Sequence, residues 1–246
     1  MLLIVLGGAR EWAKLIGMSS FSRALFVAAM LATGGALLWW GAQRGFRPVV
    51  LVACGIATLF WIGIGVPAVL RNWQPASLPA RTAFAFVVLQ GAFVAIVALH
   101  ARSPWLALAA MAIVWIADTA AYFTGRRWGR HKLAPRISPG KTWEGAYGAA
   151  VGGVVYALLL LPLASKAQFT HPLDAGSITA WVVFAIALTA LSIVGDLHES
   201  LLKRRAGVKD SGAVLPGHGG ILDRIDALLA AMPPVALAAA AFLAAS

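Results

Sequence analysis

The chain has 246 residues, 61% of them hydrophobic and only 12% charged, with a mean hydropathy of +0.83 and a formal net charge of +11. Soluble domains carry roughly 25% charged residues, so this composition excludes an ordinary water-soluble fold. It also makes nucleic-acid binding a poor account of the positive charge, because most of the chain belongs in lipid.

Met1 to Gly17 begins apolar but is interrupted by Arg10, Glu11 and Lys14, which makes it the weakest candidate span. Apolar runs then recur at 24–43, 48–70, 82–100, 105–123, 145–164, 177–195 and 227–245. Each is about 19–23 residues, enough for a tilted helix across a hydrocarbon core of ~30 Å. Helices satisfy their own backbone groups where no water can, so the expected fold is all-α: a polytopic transmembrane protein of about 7–8 membrane helices. Residues 1–104 form its N-terminal helices. Residues 105–246 form a C-terminal region whose long polar loops, 125–142 and 198–226, are the expected seat of chemistry.

Within these runs several features have plain packing explanations. Gly148 and Gly152 form a small-xxx-small face for close helix approach. Pro233 and Pro234 are expected to kink or locally break the last helix. Trp39, Trp40, Trp73, Trp105, Trp128, Trp143 and Trp181 fall near predicted span ends, where an aromatic belt belongs. Cys54 is the single cysteine; it lies mid-span and reads as a small packing residue. No cleavable signal peptide, soluble domain or fixed-period repeat is expected.

Loop charge assigns sides. With alternating spans, 18–23, 71–81, 125–142 and 198–226 share one side and hold fourteen Lys or Arg. The opposite loops hold only Arg44, Arg47, Arg102 and Lys166. The positive-inside bias places the first set in the cytoplasm.

Residues 195–226 gather four Asp, one Glu, five Lys or Arg and two His between two apolar stretches. A charged Asp, Lys or Arg at a bilayer centre costs about 2.5–3.5 kcal/mol, so such a cluster beside a membrane marks a functional site. If the 177–195 helix continues one or two turns beyond the lipid, Asp196, Glu199, Ser200 and Lys203 share a face. Asp223 and Asp226, three apart at the start of the last helix, share another. Carboxylates on two helix ends suit hard cations, Mg²⁺ above all. The lack of Cys or paired-His spacing argues against zinc. First-turn acidic residues also favour the helix dipole without any metal, and that reading weakens once Asp196 stands beside them.

Between these helix ends, Lys203, Arg204, Arg205 and Lys209 offer cationic donors, and Pro216 to Gly220 offer backbone N–H groups beside a helix start: a candidate phosphate cradle. In the first long loop, Gly140, Lys141 and Thr142 look like the end of a Walker A loop. That motif needs glycine where Pro135 stands, and a preceding strand, so a P-loop is rejected. Asp118, near the end of its span, is a candidate member of the polar site. Ser138, Lys141 and Glu144 are expected to line the same cavity from a neighbouring helix.

The run from Ser200 to Asp226, S-x-x-K-R-x₄-K-D-x₅-P-G-H-G-G-x-x-D-R-x-D, resembles the signature of the phosphatidate cytidylyltransferases (CDP-diacylglycerol synthases). The G-D-L-x-E-S from Gly195 to Ser200 is similar to that family too. So are D-T at Asp118, A-Y-F at Ala121, G-R at Gly125 and I-S-P-x-K-T-x-E-G from Ile137 to Gly145. The likeness covers roughly 105–245 by motif. It departs at Ala120, where family members carry glycine, and ahead of Glu11, where they normally carry more transmembrane sequence.

The resemblance implies transfer of a cytidylyl group from CTP to phosphatidate, with Mg²⁺ and room for a second, monovalent or divalent cation. It implies Asp196, Lys203 and Asp223 as the catalytic set. Asp196 and Asp223 would hold the metal, with Asp226, Glu199 and Ser200 as further partners. Lys203, Arg204, Lys209 and Arg224 would meet phosphates, His218, Gly219 and Gly220 would close around the nucleotide, and Asp118, Ser138, Lys141 and Asp210 would complete substrate binding. The implied setting is a bacterial-type inner membrane with the site facing the cytoplasm, the partners being CTP, phosphatidate and membrane lipid; a homodimer is compatible with it. The alternatives are another CTP-using lipid-phosphate transferase or polyprenol kinase and, in a different class, a lipid or ion transporter with a cytoplasmic cation site. A transporter would place its charges at the bilayer midplane, whereas here they lie at one face.

Overall fold

The computed structural model describes residues 2–166, 174–212 and 219–242. In chain order these form α1 (Leu2–Leu15), α2 (Ser20–Arg44) and α3 (Phe46–Phe60), the last passing through a π-turn (Trp61–Gly65) into α4 (Val66–Leu70). Then come α5 (Leu78–Arg102), α6 (Pro104–Trp128), a short β1 (Lys132–Ala134) and β2 (Ser138–Thr142), α7 (Trp143–Lys166), α8 (Ala175–Arg205) and α9 (Leu222–Phe242). Among the described residues, seven helices are long and apolar enough to cross a membrane, the α3–α4 stretch counting as one. This is a multi-pass helical membrane protein. The weak first candidate is described as α1 over 14 residues, about 21 Å at 1.5 Å per residue, and is not among those seven.

α5 and α9 lie at the centre. They bury 61% and 56% of their most apolar stretch, against 22–33% for the other long helices. α9 packs against α3, α5 and α8, while α6 and α7 pair with each other and α7 leans on α8. The small-residue face works as expected. A Cβ at Gly148 would collide with Thr124, and one at Gly152 would sit 2.7 Å from the Ala120 Cβ, so α7 lies directly on α6. Ala120 therefore fits because its partner is glycine.

Two expectations need correction. α9 runs unbroken through Pro233 and Pro234. Neighbouring helices enclose it there and leave Pro233 fully buried, the setting in which membrane helices tolerate proline. Trp181 is not a belt residue: it is half-buried and donates its indole N–H to the Ala157 carbonyl at 2.7 Å. The other six predicted belt tryptophans are exposed, as expected.

Side-chain ties gather the basic loops at one end of the bundle. Arg81 donates to the Ile16 carbonyl (3.4 Å), Arg205 to the Asn72 carbonyl (2.6 Å) and Arg204 to the Ile137 carbonyl (3.3 Å). The turn after α1, the α4–α5 connection, the β-hairpin and the end of α8 thus share one face of the molecule, as the charge division requires.

Candidate active site

α8 continues past its apolar stretch to Arg205, so Asp196, Glu199, Ser200 and Lys203 do fall on consecutive turns of one helix. α9 starts at Leu222 and carries Asp223 and Asp226 in its first two turns. The two helices touch through backbone at Gly195, where a Cβ would sit 2.6 Å from the Asp226 carbonyl oxygen. Glycine at that point lets Asp196 and Asp226 approach one another.

Five carboxylates, Asp118, Asp196, Glu199, Asp223 and Asp226, line one cavity of about 400 Å³ together with Lys203 and Arg224. Its remaining wall is apolar and includes Val114, Trp115 and Leu228. Two ammonium groups stand among the carboxylates. Lys203 Nζ lies 2.7 Å from Glu199 Oε2 and 2.5 Å from Asp223 Oδ1, joining α8 to α9. Lys141 Nζ reaches in from β2 to Asp196 Oδ2 at 2.6 Å. Ser200 Oγ lies 3.4 Å from the other oxygen of Asp196.

Asp223 is the most heavily held of these groups. Its Oδ2 accepts from the backbone N–H of Ser211 (3.0 Å) and Gly220 (2.8 Å), with the Ser211 hydroxyl at 2.9 Å. Gly219 has φ +81°, a left-handed turn that favours glycine, and a Cβ on Gly220 would collide with Ser211 Oγ and Glu11 Oε2. These two glycines thus shape the turn that delivers N–H groups to Asp223, a local duty beside the expected nucleotide contact. His218 lies outside the described residues.

Other predicted residues fall differently. The hairpin β1–β2, paired antiparallel with Lys132 opposite Thr142 and Ala134 opposite Ser138, was not anticipated. Lys141 reaches the cavity-lining Asp196 from this ribbon, not from a helix, without itself lining the cavity. Ser138 is outside the cavity lining. Glu144 turns away to His131, accepting at 2.7 Å from the ring position and also from the His131 backbone N–H, which closes the hairpin. Arg204 gives its Nε–H to the Ile137 carbonyl, and Lys209 and Asp210 are exposed beyond the lining.

Sequence reasoning passed over Glu11, Ser211 and the surroundings of His198. The His198 ring is buried against Phe84, Trp61 and Trp12, with centroids 4.9, 5.4 and 5.6 Å away. The π-turn after α3 sits at Trp61, whose indole N–H is tied to the Leu229 carbonyl. This aromatic box fixes α8 one residue from Glu199.

The donor chemistry suits a hard cation. Among the described residues every titratable acceptor on the cavity wall is a carboxylate, and no His or Cys lines it. Glu199 Oε1 is buried without a hydrogen-bond partner among the described residues, an oxygen in need of a cation or donor. Among those residues no three His, Cys, Asp or Glu side chains are placed so that together they could hold a metal ion.

Fold and site together define an integral-membrane protein with a charged, carboxylate-rich cavity at one end of its bundle. The cytidylyltransferase family model matches residues 1–242, and the chain belongs to that family of nucleotidyltransferases. It is similar to the phosphatidate cytidylyltransferase of Pseudomonas aeruginosa, at 35% identity over 248 aligned positions covering 92% of this chain and 81% of that protein. The proteins of the same name from Haemophilus influenzae and Brucella suis are 44% and 50% identical over 129 and 121 residues. Those matches take in 52% and 49% of this chain but only 43% and 41% of the relatives' own lengths.

Proposed function

We propose that this protein is a phosphatidate cytidylyltransferase, transferring the cytidylyl group of CTP to phosphatidate to give CDP-diacylglycerol and pyrophosphate. The observation that carries the reading is the cavity itself. The family-motif residues Asp196, Lys203 and Asp223, from two helices, line one space with an apolar wall on a lipid-embedded bundle. A substrate with a charged head and two acyl tails needs that pairing.

The phosphate of phosphatidate is already a nucleophilic anion, so no strong base is required. One of its oxygens forms a bond to the α-phosphorus of CTP while the bond from that phosphorus to the bridging oxygen of pyrophosphate breaks. What the chain must supply is alignment and charge neutralisation for two polyanions. Lys203 and Arg224 are assigned to phosphate oxygens, and Lys141, which swings from the hairpin onto Asp196, is assigned to close the cavity over them. Asp196 and Asp223 are assigned to hold Mg²⁺, with Asp226 and Glu199 as further oxygens and Ser200 steadying Asp196. When bound, the ion would neutralise phosphate charge and polarise the α-phosphoryl group. The site is assigned to the cytoplasmic face of a bacterial inner membrane, because the loops gathered at that end carry most of the positive charge.

The test is an assay of purified protein with CTP, phosphatidate and Mg²⁺ that follows pyrophosphate and nucleotide-lipid together. Equal yields are expected; pyrophosphate without nucleotide-lipid overturns the reading.

A further inference from the structure

α9 begins without a local cap. The residues before Leu222 are Gly219, Gly220 and Ile221, none with a side-chain oxygen to receive the first N–H groups of the helix. The acceptor comes from the other end of the sequence. Glu11, on α1, accepts from the backbone N–H of Leu222 (2.8 Å) and Ile221 (3.1 Å) through its two carboxylate oxygens. Its Oε2 also lies 2.9 Å from Ser211 Oγ. That same hydroxyl lies 2.9 Å from Asp223 Oδ2. One hydroxyl proton therefore serves two carboxylates, and the position of Ser211, which also gives its backbone N–H to Asp223, is set from the Glu11 side.

Glu11 is 6% exposed and Ser211 2% exposed, so water does not replace these bonds. A buried carboxylate is costly unless fully hydrogen-bonded, and charge-assisted bonds of this kind are the strong ones. α1 is fitted to deliver it. Gly7 and Gly8 pack against Ile221 and Ile225 of the α9 start, and Trp12, next in sequence to Glu11, packs on His198 of α8. α1 thus touches both acidic helices at the level of the cavity.

We propose that Glu11 is a positioning residue for the site: by capping α9 and holding Ser211, it sets the place of Asp223. The claim rests on the reading above that Asp223 is a working carboxylate. Conservative exchange should not rescue it. Glu11→Gln leaves one acceptor oxygen and turns an NH₂ group toward N–H donors, and Glu11→Asp is one methylene too short.

The experiment uses the full chain in detergent, with Glu11→Gln, Glu11→Asp, Ser211→Ala, the Glu11→Gln/Ser211→Ala double variant and Gln90→Leu as comparator. Gln90, on α5, is buried and bonded to the Met30 carbonyl of α2 at 3.1 Å and is not among the cavity-lining residues, so its exchange perturbs the bundle away from the site. Three readouts are taken well below each melting temperature: kcat, KM for phosphatidate, and Mn²⁺ binding to the substrate-free protein by electron paramagnetic resonance. Both Glu11 variants should lose at least ~30-fold in kcat with KM changed by no more than about twofold, the pattern of a group acting on the transition state. Their Mn²⁺ affinity should fall about tenfold, and the double variant should be no worse than Glu11→Gln, because one chain of contacts has been cut twice. Gln90→Leu should lower the melting temperature and move neither kcat nor Mn²⁺ binding. Glu11→Gln retaining more than half of the wild-type kcat and Mn²⁺ affinity overturns the proposal, as does an equal kcat loss in Gln90→Leu. If the wild-type protein makes no nucleotide-lipid, the functional reading fails, and the Mn²⁺ isotherms alone decide the positioning claim.

Discussion

Lys203 is the place where a single substitution separates the stability of the site from its chemistry. Its ammonium joins Glu199 and Asp223 and is 13% exposed; Glu199 is 3% and Asp223 13% exposed. Lys203→Met keeps the length and removes the charge, leaving two carboxylates facing each other. Removing one partner of a buried pair costs about 3–5 kcal/mol, roughly a 10²- to 10³·⁵-fold shift in the unfolding equilibrium. The two stranded carboxylates are not equally stranded. Asp223 keeps two backbone N–H donors on its other oxygen, whereas Glu199 Oε1 has no partner among the described residues. Adding Glu199→Gln to Lys203→Met should therefore recover more than half of the lost stability, and adding Asp223→Asn distinctly less. Neither double variant should regain activity, since the charge assigned to phosphate is still missing. SDS unfolding in mixed micelles followed by tryptophan fluorescence measures the first quantity, and nucleotide-lipid formation the second. If Asp223→Asn restores stability better than Glu199→Gln, the account of which carboxylate depends on Lys203 is wrong. If either double variant regains activity, Lys203 serves only to neutralise its neighbours.

Three further outcomes are expected. Single cysteines placed at Lys132 and Lys209, after Cys54→Ala, should resist an impermeant thiol reagent on intact cells and react once the inner membrane is opened; labelling of intact cells reverses the orientation. Asp196→Asn and Asp223→Asn should each abolish turnover in folded protein and be grossly non-additive when combined, and retention of about a tenth of wild-type activity by either removes it as a principal ligand. Kinetics should be sequential, and α-labelled CTP incubated without lipid should leave no label on the protein; a cytidylyl-enzyme adduct competent to pass its label to phosphatidate would replace direct transfer with a two-step route.

The spans were legible because hydropathy over twenty residues is a bulk property that tertiary detail seldom reverses. The extension of α8 beyond its apolar stretch was legible for a related reason: Asp196, Glu199, Ser200 and Lys203 repeat at helical spacing, so a polar face could be read before any contact was known. The hairpin was not. β1 and β2 have three and five residues, Pro139 and Gly140 sit in the second, and no alternation marks either. Its pairing is fixed by tertiary clasps, the Glu144–His131 pair and the Arg204 bond to Ile137. Glu11 was hidden by distance. Capping rules look within four residues of a helix start, and this cap lies about two hundred residues upstream of the helix it serves. What the sequence did display was an acidic residue between Arg10 and Lys14 in a segment that begins apolar, which reads as an interruption of a span until its partners are seen. Pro233 and Pro234 misled in the opposite direction, since the cost of proline inside a helix assumes exposed backbone and here the neighbours enclose it.

Charge bookkeeping over the cavity explains why two lysines sit where they do and what must change when substrates arrive. Fully ionised, the walls present five negative charges, Asp118, Asp196, Glu199, Asp223 and Asp226, against Lys203, Arg224 and the inward-reaching Lys141. In surroundings of low effective dielectric such an excess is expensive, and Lys203 and Lys141 relieve it by bridging three of the five. On the proposed reading, CTP and phosphatidate bring several more negative charges into the same space. If the lysines leave their carboxylates to meet phosphate, the carboxylates are stranded; if they stay, the phosphates are unmet. On that reading added positive charge satisfies both sets, and the carboxylates of the described lining would suit a hard divalent cation for that part. On the proposed reading cation and nucleotide binding would reinforce one another, since each would remove the electrostatic cost of the other.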